Sequence, residues 1–438
     1  MIWIYRLIFV PALLLLAPYY LWRMRRRGGY AESFGGRFGY TEALPPKVAG
    51  RKRIWLQAVS VGEMLAIAPL LEAFRREGNA EVYLTTTTST GYKLAKEKYA
   101  AITIGIGYFP LDFWAFSERA WWRVKPDLCI LMEGERWPEH VHQAKTHGVP
   151  VLCVNARLSD RSYRRSVRSA WVLRPLTNSI TRILCASKRD EQRFKAIGFP
   201  SERLQTTGNL KLDVAIPELP VVQLAQLRRE LGLGDGLVLL GSSTWAGEEA
   251  ALLTALKRAR ERGLEVSLLL VPRHAERREE LRGLLAKTGL SFHFRSEGPY
   301  FAKASKGDGA SVVDVAVGDT TGELQKFTQL ADVVFVGKSL APHDGGQTPV
   351  EAAILEKPLL HGPHMTNFRE IIRGLTEAGA VRKVETHDEL ISAAVELLQD
   401  GSQRAKLSAA AHEWHEANRG ATERTVGVIR ALLHQTPD

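Results

Sequence analysis

Residues 54–86 read IWLQAVSVGEMLAIAPLLEAFRREGNAEVYLTT. Two short apolar runs in this stretch, Ile54–Val59 and Val82–Thr86, are typical of buried strands. Between them, Glu63–Arg76 has the pattern of an amphipathic helix. A strand, a helix and a second strand in this order predict a parallel pair joined by a right-handed crossover, and therefore an α/β fold.

The same alternation continues on both sides of an interruption at Asp213–Pro220, whose two prolines indicate a linker. A second helix is predicted at Glu139–Thr146. Further strand-like runs are Leu128–Met132, Val149–Val154, Ile183–Ala186, Leu237–Gly241, Ser267–Val271, Val312–Val317, Val333–Val336 and Pro358–Leu360. A chain of 438 residues with this rhythm predicts two domains, residues 28–215 and 216–438, with ligands in a cleft between them. The Gly/Ser/Lys-rich segment Ser305–Ala310 is expected to be a loop.

The composition is that of a folded protein with anionic partners. Apolar residues make up 45% of the chain and charged residues 24%, which argues against disorder. The formal charge of +11 favours nucleic acid, a phospholipid surface or phosphorylated substrates as partners. Cys129, Cys153 and Cys185 each lie in an apolar run, and their spacing favours buried thiols in a reducing compartment over a zinc site or disulfides.

The N-terminal residues 1–27 are predicted to anchor the chain to a membrane. Leu7–Trp22 carries no charge, and Arg23, Arg25, Arg26 and Arg27 come directly after it. This order of charges differs from that of a signal peptide and places the rest of the chain on the cytoplasmic side. Sixteen residues reach only about 24 Å, so the segment spans the bilayer only if it is counted from Met1, with Arg6 snorkelling. Otherwise it lies in the interface; a buried core helix is the third interpretation.

Several polar clusters lie directly after the predicted strands, where α/β folds bind ligands. Glu63 comes after the first strand, but Ser60-x-x-Glu63 is also a helix capping box. The same motif occurs at Thr320–Glu323 and Thr348–Glu351. Capping is the favoured interpretation of any one of them alone, and three at strand ends raise the odds of a site.

Two more clusters lie in the first predicted domain. The stretch Glu133-Gly134-Glu135-Arg136-Trp137-Pro138 could shape an acceptor pocket or could simply begin a helix, with its acidic residues and proline in the first turn. Lys211, in Gly208–Asp213, could pair with a substrate carboxylate or phosphate, or be a solvated hinge lysine.

The first domain also contains a basic cluster. It comprises Arg157, Arg161, Arg164, Arg165 and Arg168, with Tyr163 among them. It could meet acceptor phosphates or anionic lipid, or be a solvated helix face.

Four loops of the second domain favour a nucleotide ligand. They are residues 241–244, 271–274, 320–323 and 345–351. Small residues leading into helix N-termini suit phosphate, and Arg273 adds a positive fork. The sequence has no Walker lysine motif, and no G-x-G-x-x-G comes after the first strand.

The chain resembles the Kdo transferases, which attach 3-deoxy-octulosonic acid to lipid A precursors in Gram-negative bacteria. The resemblance covers nearly the whole chain. Besides the N-terminal segment, it rests on residues 60–63 (SVGE), 85–91 (TTTTSTG), 155–159 (NARLS), 208–211 (GNLK), 271–274 (VPRH), 321–324 (TGEL), 335–337 (FVG), 345–346 (GG) and 362–364 (GPH).

This resemblance implies a GT-B fold of two Rossmann-like domains facing a cleft, with an N-terminal membrane anchor helix. It implies an inverting, metal-free transfer from CMP-Kdo to a lipid A precursor at the cytoplasmic face of the inner membrane. No other cofactor and no nucleic acid partner are expected. The alternatives are another GT-B transferase that uses a UDP-sugar, and a non-catalytic anchored protein that binds lipid or nucleotide.

By motif, Glu63 would be the catalytic base, and Glu133 and Lys211 would support the transition state. A base at a helix N-terminus is expected to have a lowered pKa. Acceptor phosphate candidates are Arg157, Arg161 and Arg164. The residues implied for CMP binding are Pro272, Arg273, Thr321, Gly322, Glu323, Thr348, Pro349, Val350 and Glu351. The sequence departs from the family pattern at Gly134 and Arg136 and at Gln347 and Thr348, which bears on acceptor choice and cytidine contacts.

Overall fold

The computed structural model of the chain describes residues 1–26, 32–300 and 312–435. The chain forms two compact units. The first comprises Met1–Val214 and Asn418–Asp438, and the second comprises Ala215–Ala417. Each unit contains one parallel β-sheet of seven strands.

The first sheet has the strand order β3-β2-β1-β4-β5-β6-β7. Its strands are β1 Lys52–Gln57, β2 Ala80–Thr86, β3 Gly105–Tyr108, β4 Leu128–Met132, β5 Val151–Ala156, β6 Arg182–Cys185 and β7 Leu204–Thr206. The helices of this unit are α1 Ile2–Arg26, α2 Val61–Ala66, α3 Ala68–Glu77, α4 Ser89–Tyr99, α5 Trp114–Val124, α6 Pro138–Thr146, α7 Asp160–Arg168, α8 Ala170–Thr177, α9 Lys188–Ala196 and the C-terminal Ala421–Gln435.

The second sheet has the order β10-β11-β9-β8-β12-β13-β14. Its strands are β8 Leu237–Thr244, β9 Val266–Pro272, β10 Phe292–Phe294, β11 Val315–Val317, β12 Val333–Val336, β13 Leu359–His361 and β14 Val381–Lys383. Its helices are α10 Val221–Leu231, α11 Glu248–Glu261, α12 Arg278–Ala286, α13 Leu324–Gln329, α14 Val350–Ile354, α15 Arg369–Glu377, α16 His387–Gln399 and α17 Gly401–Asn418, so that the C-terminal helix is α18.

The central strands are buried on both faces, which is why they read as continuous apolar runs. Ile54, Trp55 and Leu56 in β1 have no exposed surface, and all of β4 is buried. Each sheet reverses its order once, between β1 and β4 in the first unit and between β8 and β12 in the second. At such a switch point the flanking loops diverge and leave room for a ligand.

The ten strands predicted from the sequence are all present, with ends shifted by up to three residues. The four strands missed, β3, β7, β10 and β14, are the four edge strands of the two sheets. Each of these short strands includes glycine, polar or charged residues (GIGY, LQT, FHF and VRK), so none forms a continuous apolar run. The predicted helix Glu63–Arg76 is interrupted at Ile67 because Pro69 cannot continue the hydrogen-bond pattern of α2. Ser305–Ala310 lies outside the described residues.

The C-terminal helix α18 returns to the first unit. The domain boundaries predicted from the sequence had placed residues 418–438 in the second domain. Val426 and Ile429 of α18 are buried in the core of the first unit. The carboxylate of Asp213 accepts hydrogen bonds from the backbone N–H groups of Gly420 and Thr422. The apolar face of the helix and this capping carboxylate explain where it packs.

The predicted anchor is a helix, and its stretch Ile2–Tyr20 is long and apolar enough to cross a membrane. Its side chains are exposed or only partly covered, so the interpretation as a core helix is wrong. Arg6, expected to snorkel, instead forms an ion pair with Glu139. The three cysteines are buried and unpaired, as predicted.

Candidate active site

Glu63 lies at the switch point of the first sheet, where the chain leaves β1 and enters α2. Ser60 is the N-cap of α2, and its Oγ accepts a hydrogen bond from the Glu63 N–H at 3.3 Å. The Glu63 carboxylate in turn accepts from the Val59 N–H at 2.7 Å and from the Ser60 hydroxyl at 3.1 Å. Ser60 therefore caps α2 as predicted, but the Glu63 carboxylate bonds the N–H of Val59 where a capping box would use the N–H of Ser60. These bonds fix the carboxylate in one orientation at the carboxyl edge of the sheet.

Burial raises the pKa of Glu63 to about 7, and repulsion from Glu133 adds to the effect. Hydrogen bonds from Val59 and Ser60 and the charge of Lys211 oppose the rise but do not cancel it. The expectation of a lowered pKa at this helix N-terminus is wrong because desolvation outweighs the cap. A carboxylate with this pKa can accept a proton near neutral pH.

Glu133 comes directly after β4, the neighbour of β1 across the switch point. Its backbone has φ of +55°, a left-handed turn that ends the strand. Its Oε1 atom lies 2.8 Å from an Arg157 guanidinium nitrogen and 3.1 Å from Lys211 Nζ. Although burial raises its pKa, these two cations outweigh burial and hold the pKa below the ordinary value. Glu133 is therefore ionised at neutral pH, whereas a substantial fraction of Glu63 is protonated there.

Lys211 reaches Glu133 from a 3-10 turn, Leu210–Asp213. The side chain of Asn155, at the end of β5, accepts the N–H of Leu210 at 3.1 Å and so holds this turn at the carboxyl edge. Asn155 also has a left-handed φ of +53° and is almost fully buried. It belongs to the NARLS motif at residues 155–159, but the sequence gives no sign of this supporting role.

Glu135 is a third carboxylate beside this cluster. Burial raises its pKa to about 7, and the charges of Glu63 and Glu133 add to the rise. It lies in the Glu133–Pro138 stretch, which was suggested as an acceptor pocket, but it is not among the predicted catalytic residues. Its neighbour Arg136 donates to Ser166 Oγ at 3.2 Å and lies over the Phe194 ring.

The basic residues of the first unit separate into two groups. Arg157 pairs with Glu133 and is part of the carboxylate cluster. Arg161 and Arg164 lie on α7, a helix with an exposed basic face.

In the second unit, the implied donor residues lie on loops at the carboxyl edge of the sheet. Pro272 ends β9 and is buried, and the Arg273 side chain is exposed while its N–H donates to the Thr244 carbonyl at 3.1 Å. Thr321 and Gly322 are exposed. The Glu323 carboxylate accepts hydrogen bonds from Thr320 and Arg295, which lower its pKa despite partial burial.

The loop before α14 carries the remaining donor candidates, Thr348–Glu351. The Thr348 hydroxyl donates to Glu351 at 2.9 Å, and burial raises the pKa of Glu351. Pro349 and Val350 are buried. The N-caps of α13 and α14 are Glu323 and Pro349, so the capping boxes suggested at Thr320 and Thr348 are not formed.

The buried carboxylate of Glu248 joins the two loops at the switch point of the second sheet. It accepts the N–H groups of Trp245 at 2.9 Å, Lys338 at 2.9 Å and Ser339 at 3.0 Å. The Lys338 ammonium lies 5.0 Å from the centre of the Trp245 ring. None of these residues is among the site residues predicted from the sequence.

Across residues 1–26, 32–300 and 312–435, no group of three or more His, Cys, Asp or Glu side chains is placed to hold a metal ion. The two sites just described are therefore built from carboxylates, cations and backbone N–H groups.

Comparison with known proteins gives the family. A family model described as 3-Deoxy-D-manno-octulosonic-acid transferase (kdotransferase) matches residues 32–214. The 3-deoxy-D-manno-octulosonic acid transferase of Bordetella pertussis is 34% identical over 97% of this chain and 99% of its own length. That of Haemophilus influenzae is 31% identical over 98% of this chain and 96% of its own length.

Solved structures show the same fold at low identity. A putative UDP-N-acetylglucosamine 2-epimerase from Listeria monocytogenes matches 88% of this chain and 98% of its own with a TM-score of 0.60 and 15% identity. Anabaena Alr3699/HepE in complex with UDP matches 87% of this chain and 99% of its own with a TM-score of 0.59, also at 15% identity. The fold is thus the GT-B arrangement of two Rossmann-like units, and the chain belongs to the 3-deoxy-D-manno-octulosonic acid transferase family.

Proposed function

We propose that this protein transfers Kdo from CMP-Kdo to a lipid A precursor at the cytoplasmic face of the inner membrane, with inversion at the anomeric carbon. The observation that carries the proposal is the buried Glu63, whose pKa is raised to about 7 and which lies beside the Glu133–Arg157–Lys211 cluster. Family membership supports Kdo as the transferred sugar, and this cluster supports a transfer assisted by a general base.

Glu63 acts as the general base. It takes the proton from a hydroxyl of the acceptor, and the hydroxyl oxygen then bonds to the anomeric carbon of Kdo. The bond from that carbon to the phosphate oxygen breaks, and CMP leaves with the electron pair. A base with a pKa near the working pH suits this step, because a substantial fraction of it is ionised and it is still basic enough to hold the proton.

Glu133 and Lys211 support the transition state without taking the proton. Glu133 is kept ionised by its two cations, so its negative charge is available to a developing oxocarbenium ion. Lys211 and Arg157 hold the Glu133 carboxylate in place from two sides. The opposite protonation tendencies of Glu63 and Glu133 assign them different roles.

The donor nucleotide is proposed to bind the second unit. Arg273 offers an exposed guanidinium for the CMP phosphate, and the exposed backbone at Thr321 and Gly322 suits close approach of the nucleotide. Glu323 and Glu351, each held by a threonine hydroxyl, are acceptors for ribose hydroxyls or the cytosine amino group.

A transfer assay tests the reaction and the donor. Purified full-length protein, CMP-Kdo and a detergent-solubilised lipid A precursor should release CMP and form the glycolipid with EDTA present. UDP-sugars are the matched controls and should give no product. Turnover with a UDP-sugar but not with CMP-Kdo would overturn the proposal in favour of a different transferase. No turnover with any sugar donor would overturn it in favour of a binding protein.

The membrane part of the proposal rests on exposed apolar and basic surface. Helix α1 exposes large apolar side chains, and Arg161 and Arg164 lie on the exposed face of α7. A cation near an anionic membrane contributes about 1 kcal/mol, so Arg161→Gln with Arg164→Gln should weaken binding to anionic vesicles about 30-fold at low salt. Vesicle flotation measures this, with Lys93→Gln plus Lys98→Gln as the control pair. If the two double variants bind the vesicles equally, the arginines of α7 do not contact the membrane.

A further inference from the structure

The N-terminal end of α1 is fixed to the first unit. Arg6 donates two hydrogen bonds to the Glu139 carboxylate, at 2.9 and 2.8 Å. Glu139 is fully buried, and the Arg6 side chain is 14% exposed. The Tyr5 hydroxyl donates to Asp112 at 2.5 Å, and Asp112 in turn accepts the N–H groups that begin α6. These paired, largely buried groups make the start of α1 part of the folded domain.

The chain beyond α1 is fixed to the same place. Phe9 stacks on Phe113, with ring centres 6.2 Å apart, and Phe113 contacts Phe116 at 5.0 Å. Phe116 contacts Phe38 at 5.3 Å. Phe9 lies near the start of α1 and Phe38 comes after its end, so Phe113 and Phe116, at the start of α5, contact the chain both within the first turns of the helix and beyond it.

This arrangement is incompatible with a helix that spans the bilayer. The ends of a spanning helix lie on opposite sides of a hydrocarbon core about 30 Å thick. Here Arg6 contacts the same domain that Phe38 contacts. The chain from Arg26 to Glu32 reaches at most about 20 Å, which is too short to cross back to the domain. The domain would therefore have to touch both sides of the membrane.

The faces of α1 divide in a way that suits a helix lying on the domain. Ile2, Tyr5, Arg6, Phe9 and Leu13 recur at helical spacing and are partly covered. The outward side chains are strongly exposed, with Trp3 at 74%, Leu7 at 75%, Leu14 at 70% and Leu15 at 81%. The Arg6 guanidinium also lies 4.7 Å from the centre of the Trp3 ring, and Trp is a residue enriched at membrane interfaces.

A lipid surface is the partner that fits the outward side. Residues 7–22 contain no charged side chain, so this surface offers a protein partner neither ion pairs nor charge-based specificity. Trp171 at the start of α8 is 75% exposed, and α7 before it carries exposed arginines that favour anionic headgroups. An interfacial helix buries apolar side chains about 5–10 Å into the headgroup and acyl boundary.

We infer that α1 lies along one leaflet of the membrane, with both ends on the side of the catalytic domains, and does not span the bilayer. The inference rests on the membrane association given under the proposed function. In this arrangement, Glu139 and Asp112 are the residues of the first unit that hold the membrane-bound helix. The first unit then lies directly against the lipid surface.

The sidedness of the N-terminus tests this inference without measuring transfer. A short tag with one cysteine is placed before Met1 or, as the control, after Asp438, in full-length protein in bacterial membranes. Because Cys129, Cys153 and Cys185 are buried, a membrane-impermeant maleimide labels only the tag in the folded protein. Both tags should be labelled at least tenfold more in inverted vesicles than in intact spheroplasts.

If the tag before Met1 is instead labelled in intact spheroplasts while the tag after Asp438 is not, the inference is overturned and α1 spans the bilayer. Recovery of the protein in the soluble fraction would overturn it together with the proposed membrane association. Loss of sugar transfer with both tags on the cytoplasmic side would leave the inference standing and contradict only the proposed reaction.

Discussion

Lys211 Nζ lies 3.1 Å from Oε1 of Glu133, the same oxygen atom that Arg157 approaches to 2.8 Å. Two cations on one carboxylate oxygen keep Glu133 ionised although it is buried. Glu63 nearby has no cation in direct contact that the structure records, and burial raises its pKa to about 7. The first unit thus holds two carboxylates with opposite protonation tendencies, and this difference makes the roles of the site residues testable.

Replacing Glu63 with glutamine should abolish most transfer and leave CMP binding unchanged. The amide preserves size and can still accept the hydrogen bond from Val59, but it cannot take a proton. Loss of a general base typically lowers kcat about 10²–10⁴-fold. Steady-state kinetics and calorimetry with CMP measure the two effects, with Glu72→Gln on the exposed face of α3 as the control. An active but thermally weakened variant would show that Glu63 only caps α2.

The same variant should change how stability depends on pH. Because folding raises the pKa of Glu63, its protonated form stabilises the fold. That contribution is complete below the ordinary glutamate pKa and is lost as pH rises through about 7. The Tm of the wild type minus the Tm of Glu63→Gln should therefore be smaller at pH 8.5 than at pH 5. A constant difference in Tm across this range would contradict the raised pKa.

Replacing Lys211 with methionine should lower kcat and move the acid limb of the pH–rate profile to higher pH. The charge of Lys211 lowers the pKa of Glu63, so its removal raises that pKa further. The limb reflects protonation of the base, and activity is lost as pH falls through it. Lys188→Met, on the exposed surface of α9, is the control. A change in KM with an unmoved limb would restrict Lys211 to substrate binding.

Replacing Glu135 with glutamine should move the acid limb in the opposite direction. Glu63 and Glu135 repel each other when both are ionised, and burial raises the pKa of Glu135 to about 7. Removing one negative charge lets Glu63 ionise at lower pH, and the limb should then reflect a single group. The full pH–rate profile from pH 5 to 9 measures both features. A shift in the same direction as Lys211→Met would contradict the proposed coupling.

Replacing Arg273 with alanine should weaken CMP-Kdo binding about 10- to 100-fold, because a charge-assisted hydrogen bond contributes about 1.5–3 kcal/mol. Lipid acceptor KM should not change. Calorimetry with CMP and initial rates at varied donor measure the effect, with Arg258→Ala on the exposed face of α11 as the control. Equal CMP affinity in the two variants would remove Arg273 from the donor site.

Replacing Arg6 with glutamine should destabilise the first unit by about 3–5 kcal/mol, since it leaves the buried Glu139 carboxylate without its cation. The exposed pair of Arg75 and Glu72 is the control, and Arg75→Gln should leave the Tm nearly unchanged because solvent screens an exposed ion pair. Thermal unfolding in detergent measures both. If Arg6→Gln is as mild as the control, α1 is not docked on Glu139.

The sequence determined the α/β class, the ten central strands and the polar loops at their carboxyl ends. Strands buried on both faces must be apolar throughout, so each appears in the sequence as a short apolar run bounded by polar or turn-forming residues. The edge strands were missed because glycine, polar or charged residues interrupt their apolar pattern. The break at Ile67 was missed because the apolar periodicity continues across Pro69. The cap formed by Ser60 could be predicted because its spacing from Glu63 is local, whereas the catalytic role of Glu63 came only from the family resemblance and stays a prediction.

Only the tertiary structure decided what surrounds these residues. The raised pKa of Glu63 depends on burial and on Glu133, which lies 70 residues later in the chain. The contact of α18 with the first unit and the ion pair of Arg6 with Glu139 likewise join residues far apart in sequence. Local spacing cannot reveal them because a terminal helix of given pattern can pack on any complementary face. Desolvation and long-range charge therefore set the chemistry of the site, and the fold supplies both.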